Sequence, residues 1–344
     1  MMTAVGAVRL SRWQSTCLGC AEPGFTADRR LGLDGYLTAR ARRMACRAGL
    51  NSPFRTAEGL LRELSGWAVD AETIRRLTHT AAGHAARTRG DRTGRPDAFA
   101  GAAGDHEVQI DAGKVNTPDG WRDVTVAGFA VRGRGPSASS ADDEQRDRPA
   151  PGVRSVVAAV EEVGAFGPRC RAEADRLGVP TGARVTVLGD GAEWVWNLAG
   201  SEFVGGGSGA GLLPRGRVPS QGGSGLTGGG RPGRVAGPGP GPVGRGRYLG
   251  ACEAVGELPG GAAEIGAAVN DWAGHRDRVN YAVRLHRGQA IGSGLVEGTI
   301  TQRVNLRVKR TGARWRAAGV GPFVELLAMS DTPEWAEYWN ALAV

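Results

Sequence analysis

Two consecutive runs that alternate polar and apolar residues, EVQIDAGKV (107–115) and WRDVTVAGFAV (121–131), constrain this chain more than any other feature. Side chains along a strand point to opposite faces with a period of two, so each run reads as a strand with one face turned to a core. In the first run Val108, Ile110 and Ala112 share a face and Asp111 lies on the other. The intervening TPDG (117–120) is a turn, so the two runs form a hairpin. RSVVAAV (154–160) reads as a third strand, and EEVGAFGPRCRAEADRLG (161–178) as a helix ended by Gly178. RVTVLGDGAEWVWNLA (184–199) is a short apolar strand, a Gly-Asp-Gly turn and a second helix. Hairpin, strand, helix, strand, helix is an α/β layer pattern on a mixed sheet.

The flanks are helical. From Phe54 to about Arg87, Leu60, Leu61 and Leu64 recur at helical spacing, Ser65-Gly66 interrupts, and Asp70 is an N-cap for AETIRRLTHTAAGHA. This pair fits a helix-turn-helix with Arg75 and Arg76 on the second helix, although many helical hairpins share the pattern. Arg87 to Gly104 is polar and Gly/Pro-rich and reads as a linker. Beyond about Glu264, VNDWAGHRDRVNYAVRL reads as a helix and GQAIGSG as a loop. LVEGTITQRVNLRVKR (295–310) places Val296, Ile300, Val304 and Val308 on one helical face. The resulting divisions are 1–50, 51–104, 105–203, 204–250 and 251–344.

Charge points toward a polyanion. Lys and Arg number 43 against 35 Asp and Glu, a net charge of +8, and only Lys114 and Lys309 are lysine. Arg, Gly, Ala and Pro share G+C-rich codons, so part of the bias reflects base composition. A pI near 9.8 still implies attraction to polyanions, nucleic acid first. No apolar run reaches the ~18 residues of a membrane span. MMTAVGAVRLSRWQ has no apolar signal-peptide core, which predicts a cytoplasmic chain whose five cysteines form no disulfide framework.

Three carboxylates stand on separate elements: Asp111 within the first strand, Asp190 at the end of an apolar strand, and Glu297 opening a helix after Gly-Ser-Gly. Hard cations take oxygen ligands, and a pair of Mg²⁺ ions can activate a water and stabilise the leaving oxygen of a phosphodiester. The plainer reading makes an Asp a turn residue and Glu297 a first-turn helix acid. QRVNLRVKRTGARWR (302–316) sets Arg303, Arg307, Lys309, Arg310, Arg314 and Arg316 beside Trp315. It reads as a DNA surface with a stacking aromatic or as a solvated basic helix end.

IDAGKVNTPDGWRDVTVAGF (110–129), VLGDGAEWVWNLA (187–199) and IGSGLVEGTITQRVNLRVKRTGARWR (291–316) resemble bacterial insertion-sequence transposases of the ISKra type. The resemblance runs in order from about Leu10 to the C-terminus, excluding roughly 204–250. It implies an RNase H-like catalytic core whose Asp, Asp, Glu triad holds Mg²⁺ or Mn²⁺. By motif these are Asp111, Asp190 and Glu297. It also implies transposon ends and target DNA as partners, hydrolysis followed by strand transfer, a homo-oligomer on paired ends, and association with the nucleoid. The rivals are a host nuclease with the same core and a non-catalytic DNA-binding protein. Cys17-Leu-Gly-Cys20 has the spacing of half a zinc ribbon, and Cys46 and the other cysteines supply no second CxxC. The family carries a further Cys pair upstream, so the chain reads as starting at an internal methionine, with a remnant zinc half-site.

Residues 204–250 break the pattern. From Phe203 to Cys252 there is no Asp or Glu, and Phe203 to Arg247 holds 18 of the 57 glycines, six prolines and six arginines. Neither structural period is present, so the stretch reads as disordered. In the family a Leu-Asp-x-Tyr-His-Ala motif follows the Trp-Asn helix. GGSGAGLLPR (206–215) has codons that, read one base later, spell Ala-Ala-Gln-Val-Leu-Asp-Phe-Tyr-His. This points to a frameshift near Phe203 and a compensating one near Tyr248; a natural Gly-rich linker is the alternative. The gene's nucleotide sequence separates the two. A frameshifted copy would carry the triad without the insertion that positions Glu297, and its activity would be impaired.

Overall fold

The hairpin of the sequence is the centre of the sheet. The computed structural model describes residues 1–20, 23–25, 28, 30–33, 35–90, 92, 94–137, 149–190, 192–204, 211–214, 281–290 and 292–342. Two small antiparallel pairs open the chain, β1 (Met2–Thr3) with β2 (Gly6–Ala7) and β3 (Ser15–Thr16) with β4 (Pro23–Gly24). Three helices follow: α1 (Ala39–Asn51), α2 (Phe54–Ser65) and α3 (Ala71–Arg87). Thr38 caps α1, Gly66 ends α2 with a left-handed φ of 65°, and the Asp70 carboxylate accepts from the Thr73 N–H to start α3. The linker of the sequence reading holds a short helix, α4 (Asp97–Ala100), whose Phe99 is fully buried.

The sheet begins with β5 (Asp105–Thr117) and β6 (Gly120–Arg132), paired antiparallel from Asp105↔Arg132 to Thr117↔Gly120. β7 (Val153–Ala159) pairs antiparallel on β6. Helix α5 (Val163–Leu177) ends at Gly178 as expected, and β8 (Val185–Gly189) then lies parallel to β5. Helix α6 (Glu193–Ala199) runs into a π-helical turn, Gly200–Val204. Gly211–Pro214 form β9, parallel to β8, so these four residues of the glycine-rich stretch depart from the expected disorder. The remainder of that stretch and most of VNDWAGHRDRVNYAVRL lie outside the described residues. The strand order is β7-β6-β5-β8-β9. The chain then gives α7 (Tyr281–His286), α8 (Gly294–Thr299) continued by a π-helical segment (Ile300–Asn305), α9 (Ala317–Met329) and α10 (Glu334–Ala341).

Helices cover both faces of this sheet, which is why its strands are valine-rich on both sides. Val108, Ile110, Phe129, Val157 and Val187 pack against Phe166, Cys170 and Leu177 of α5 and Val195 of α6. On the opposite face Val115, Val124, Val126 and Val156 pack under Val296, Ile300 and Val304 and under Phe323, Val324 and Leu327 of α9. The periodic face predicted for 295–310 is therefore the one buried. Cys46 and Leu50 of α1 and Ala81, Ala82 and Ala85 of α3 belong to that same core, so the N-terminal helices and the C-terminal ones share an interior.

Candidate functional site

Adjacency of two strands brings two of the three carboxylates together. β5 and β8 run parallel with Gln109 opposite Leu188. Continuing that register by two residues sets Asp111 against Asp190, on the same face of strands about 4.8 Å apart. Asp111 is half-buried, and its Oδ1 accepts from the Ala112 N–H at 2.7 Å. Asp190 is exposed just past the end of β8, and its Oδ1 accepts from the Ala192 N–H at 3.0 Å in the turn into α6. The turn is tight: a Cβ on Gly189 would come within 2.6 Å of Val195.

Glu297 arrives on α8, which lies along that face of β5. At one end the buried Gln109 Oε1 accepts from the Leu295 and Val296 N–H groups at 2.9 and 3.4 Å. At the other end Gly113 sits beneath Ile300 and Val304, where a Cβ would meet them at 3.2 and 3.4 Å. Asp111 lies midway between Gln109 and Gly113, as Glu297 lies between Leu295 and Ile300. The helix therefore carries Glu297 over the level of Asp111, on an exposed side of the turn. Among the described residues, however, no three His, Cys, Asp or Glu side chains are gathered tightly enough to hold a metal ion.

Behind Asp111 the same face is polar and buried. Glu107 takes an ion pair from Arg132 at 2.8 Å and a hydrogen bond from Gln109 at 3.2 Å. Arg284, also buried, donates to Thr186 Oγ1 at 3.0 Å and to the Ala290 carbonyl at 3.1 Å, holding the loop that leads into α8. Sequence reasoning missed Gln109 and Arg284. Gln109 looks like one more solvent-facing polar residue of an alternating strand, since its partner is 186 residues away.

The basic residues separate into distinct places. Arg75 is exposed and pairs with Glu72 on the first turns of α3, and Arg76 is exposed beside it. Arg303 bonds Asn51 and Asp331, away from the rest of its run. Arg307 is buried and Trp315 half-buried, and both are turned toward an aromatic cluster. The Arg307 guanidinium is boxed by Phe54, Trp315 and Phe323 at 4.7, 5.2 and 4.8 Å and donates to the Gly49 carbonyl at 3.0 Å. Burial, reinforced by Arg310, pulls its pKa down to about 10. Trp315 packs on Phe323 with ring centroids 4.6 Å apart and donates its Nε1–H to the Val308 carbonyl. Lys309, Arg310, Arg314 and Arg316 remain exposed, with the Lys309 ammonium 5.9 Å from the exposed Trp121 ring at the hairpin tip.

Cys17 and Cys20 are exposed between β3 and β4, where the backbone N–H groups of Cys20 and Gly19 lower the Cys17 thiol pKa. Cys46 is buried in the core, its thiol pushed up to about 12 chiefly by burial, and takes no part in that pair. No helix among the described residues is long and apolar enough to cross a membrane. No protein-family model matches the chain, and no curated protein matches it at a significant level.

Proposed function

We propose that this chain is built for metal-dependent phosphoryl transfer on DNA, as an insertion-sequence transposase with an RNase H-like core. The observation that carries the reading is the parallel pairing of β5 and β8 as far as Gln109 and Leu188, whose continuation would set Asp111 beside Asp190 at the C-terminal end of β8, where ligand crevices lie in α/β sheets. The sheet supports the fold half: a three-strand antiparallel meander whose first strand is joined by two parallel strands, in the order third, second, first, fourth, fifth. An RNase H-like core has that arrangement.

The donors are all carboxylate oxygens, which fits Mg²⁺ or Mn²⁺ and not a soft-ligand site. Asp111 and Asp190 would hold the ion and Glu297 would join them; the ion, when bound, activates water and neutralises charge at the leaving oxygen. Lys309, Arg310, Arg314 and Arg316 hold the phosphate backbone, and no covalent protein nucleophile is needed. Hydrolysis at a transposon end frees a 3′-hydroxyl, which then attacks target DNA. Function in this way requires an assembly of copies on paired ends and a location at the nucleoid.

A labelled duplex carrying the element's ends tests the reading. Mg²⁺-dependent nicking is expected, and Asp111→Asn, Asp190→Asn and Glu297→Gln should each reduce it to background; retained cleavage removes that residue from the site. The second reading, a non-catalytic DNA-binding protein, rests on the exposed basic group of Lys309, Arg310, Arg314 and Arg316, which needs no metal to hold phosphates. Salt-sensitive binding with no nicking in Mg²⁺ or Mn²⁺ would establish it. Zinc on the Cys17–Cys20 half-site is settled by counting bound metal per chain.

A further inference from the structure

A large groove lies on the other flank of α8. It encloses about 1230 Å³ between α1, the edge strand β7, α8 with its π-helical continuation, and the α9–α10 turn. Arg40, Arg43 and Arg47 line it from α1, Arg154 from β7 and Arg303 from the continuation of α8. Asp331 is the sole acidic residue of the lining, and it is shared by Arg47 and Arg303. Five guanidinium groups thus face one carboxylate. The side chains of Arg40, Arg43 and Arg154 have no hydrogen-bond or ion-pair partner among the described residues, and Arg40 and Arg154 are exposed.

We infer that this groove binds a stretch of nucleic-acid backbone other than the one at Asp111 and Asp190. The three α1 arginines recur at helical spacing and span about 10 Å at 1.5 Å per residue. That length covers about three phosphates of a strand that rises about 3.4 Å per nucleotide. Guanidinium groups bind phosphate in bidentate fashion, and Thr299, Gln302 and Asn340 add polar groups along the walls. The aromatic residues of the lining, Trp335 and Trp339, are buried, so the groove lacks the open apolar pockets that anchor a peptide. Gly294 and Gly298 keep the α8 wall free of side chains, with nothing within 4 Å of a Cβ built on either. A backbone can therefore lie close against the helix.

α8 is the partition. Its Val296, Ile300 and Val304 stripe sits on the sheet, while Leu295, Gly298, Thr299 and Gln302 face the groove. At about 100° per residue, Glu297 falls on the flank away from the groove. Two nucleic-acid segments would then run on opposite sides of one helix. The groove's binding stands without the metal chemistry; only the identity of the first segment rests on the proposed function.

The test is fluorescence anisotropy with the full chain in EDTA over a salt series, using a labelled 20-mer single strand and its duplex. Arg43→Glu/Arg154→Glu should weaken binding of at least one form ten-fold or more and lower the salt slope by about two. Arg43→Gln/Arg154→Gln should shift it the same way by less. The form that responds identifies the source of the phosphates. Groove-dependent binding by a parent chain that shows no nicking in Mg²⁺ or Mn²⁺ would sink the catalytic reading and leave the groove. A charge-matched control, Arg9→Glu/Arg55→Glu, lies on other surfaces. Parent-like binding by both groove variants, or an equal loss in the control, overturns the inference.

Discussion

At the scale of single residues, the unexpected finding is where the arginine and tryptophan of the basic run point. In the sequence Arg307 differs in no way from Arg303, Arg310 or Arg314. In the fold it is a buried stacking partner for three aromatic rings, a role that suits a planar, weakly hydrated cation. His79 joins the same cluster, 5.7 Å from Phe323 and 6.3 Å from Trp315. Burial first, then the charges of Arg75 and Arg307, lower its pKa below the usual 6.5. The unfolded chain therefore takes up this proton before the folded one does. The stability His79 contributes is present above pH ~6.5 and is lost as pH falls through the folded value. Thermal melts from pH 7.5 to 5 should show a falling Tm, and His79→Phe should make that fall shallower. An unchanged slope would place the effect elsewhere, and His106, also lowered chiefly by burial, is the next candidate.

At the scale of elements, the seat of α8 on the sheet decides whether Glu297 can reach the aspartates. That seat exists because two strand residues lack side chains. A Cβ on Gly128 would lie 2.8 Å from Leu295 and 3.2 Å from Val296, and Gly113 gives similar room to Ile300 and Val304. Valine suits a strand better than glycine does, yet Gly128→Val should lift the helix. Such overpacking costs about 1–3 kcal/mol, measurable as a lower denaturant midpoint. Where nicking activity exists, it should fall by more than stability does, because the site tolerates less displacement than the core. The charged network between elements behaves differently. Arg176 reaches Glu173 at 2.7 Å and Glu334 at 3.0 Å, and Arg169 joins Glu325 to Glu161. Glu334 is 2% exposed. Removing it by Glu334→Ala leaves Arg176 with Glu173 as its remaining acidic partner, an expected loss of about 1–3 kcal/mol in chemical denaturation.

At the scale of the whole molecule, the chain's two ends fold together. Arg89, just beyond α3, pairs with the buried Glu325 of α9 at 2.9 Å, and the Tyr338 hydroxyl of α10 donates to the Ala81 carbonyl of α3 at 2.9 Å. A helix-turn-helix reading of 54–87 rested on the helices and the turn, and both are there. What they pack against could not be read, because Val320, Phe323 and Leu327 are more than 230 residues further along. The strands, their turn, the caps at Asp70, Gly66 and Gly178 and the buried face of 295–310 are all local patterns, legible because each depends on neighbours within one or two turns. Gln109, Arg284 and the groove arginines carry no local signature. A residue type says nothing about a partner that arrives from another element.

Thus the sequence alone determined the α/β layering, the hairpin at the sheet's centre, the basic character and the three candidate carboxylates, since periodicity, turn chemistry and charge are properties of contiguous residues. Only the tertiary structure decided that β8 lies parallel beside β5, with Gln109 opposite Leu188, while Arg307 and Trp315 turn inward. Only it divided the arginines between a hairpin-side surface and a groove across α8. Those outcomes depend on strand register and helix seating, which long-range packing selects and no short stretch of chain encodes.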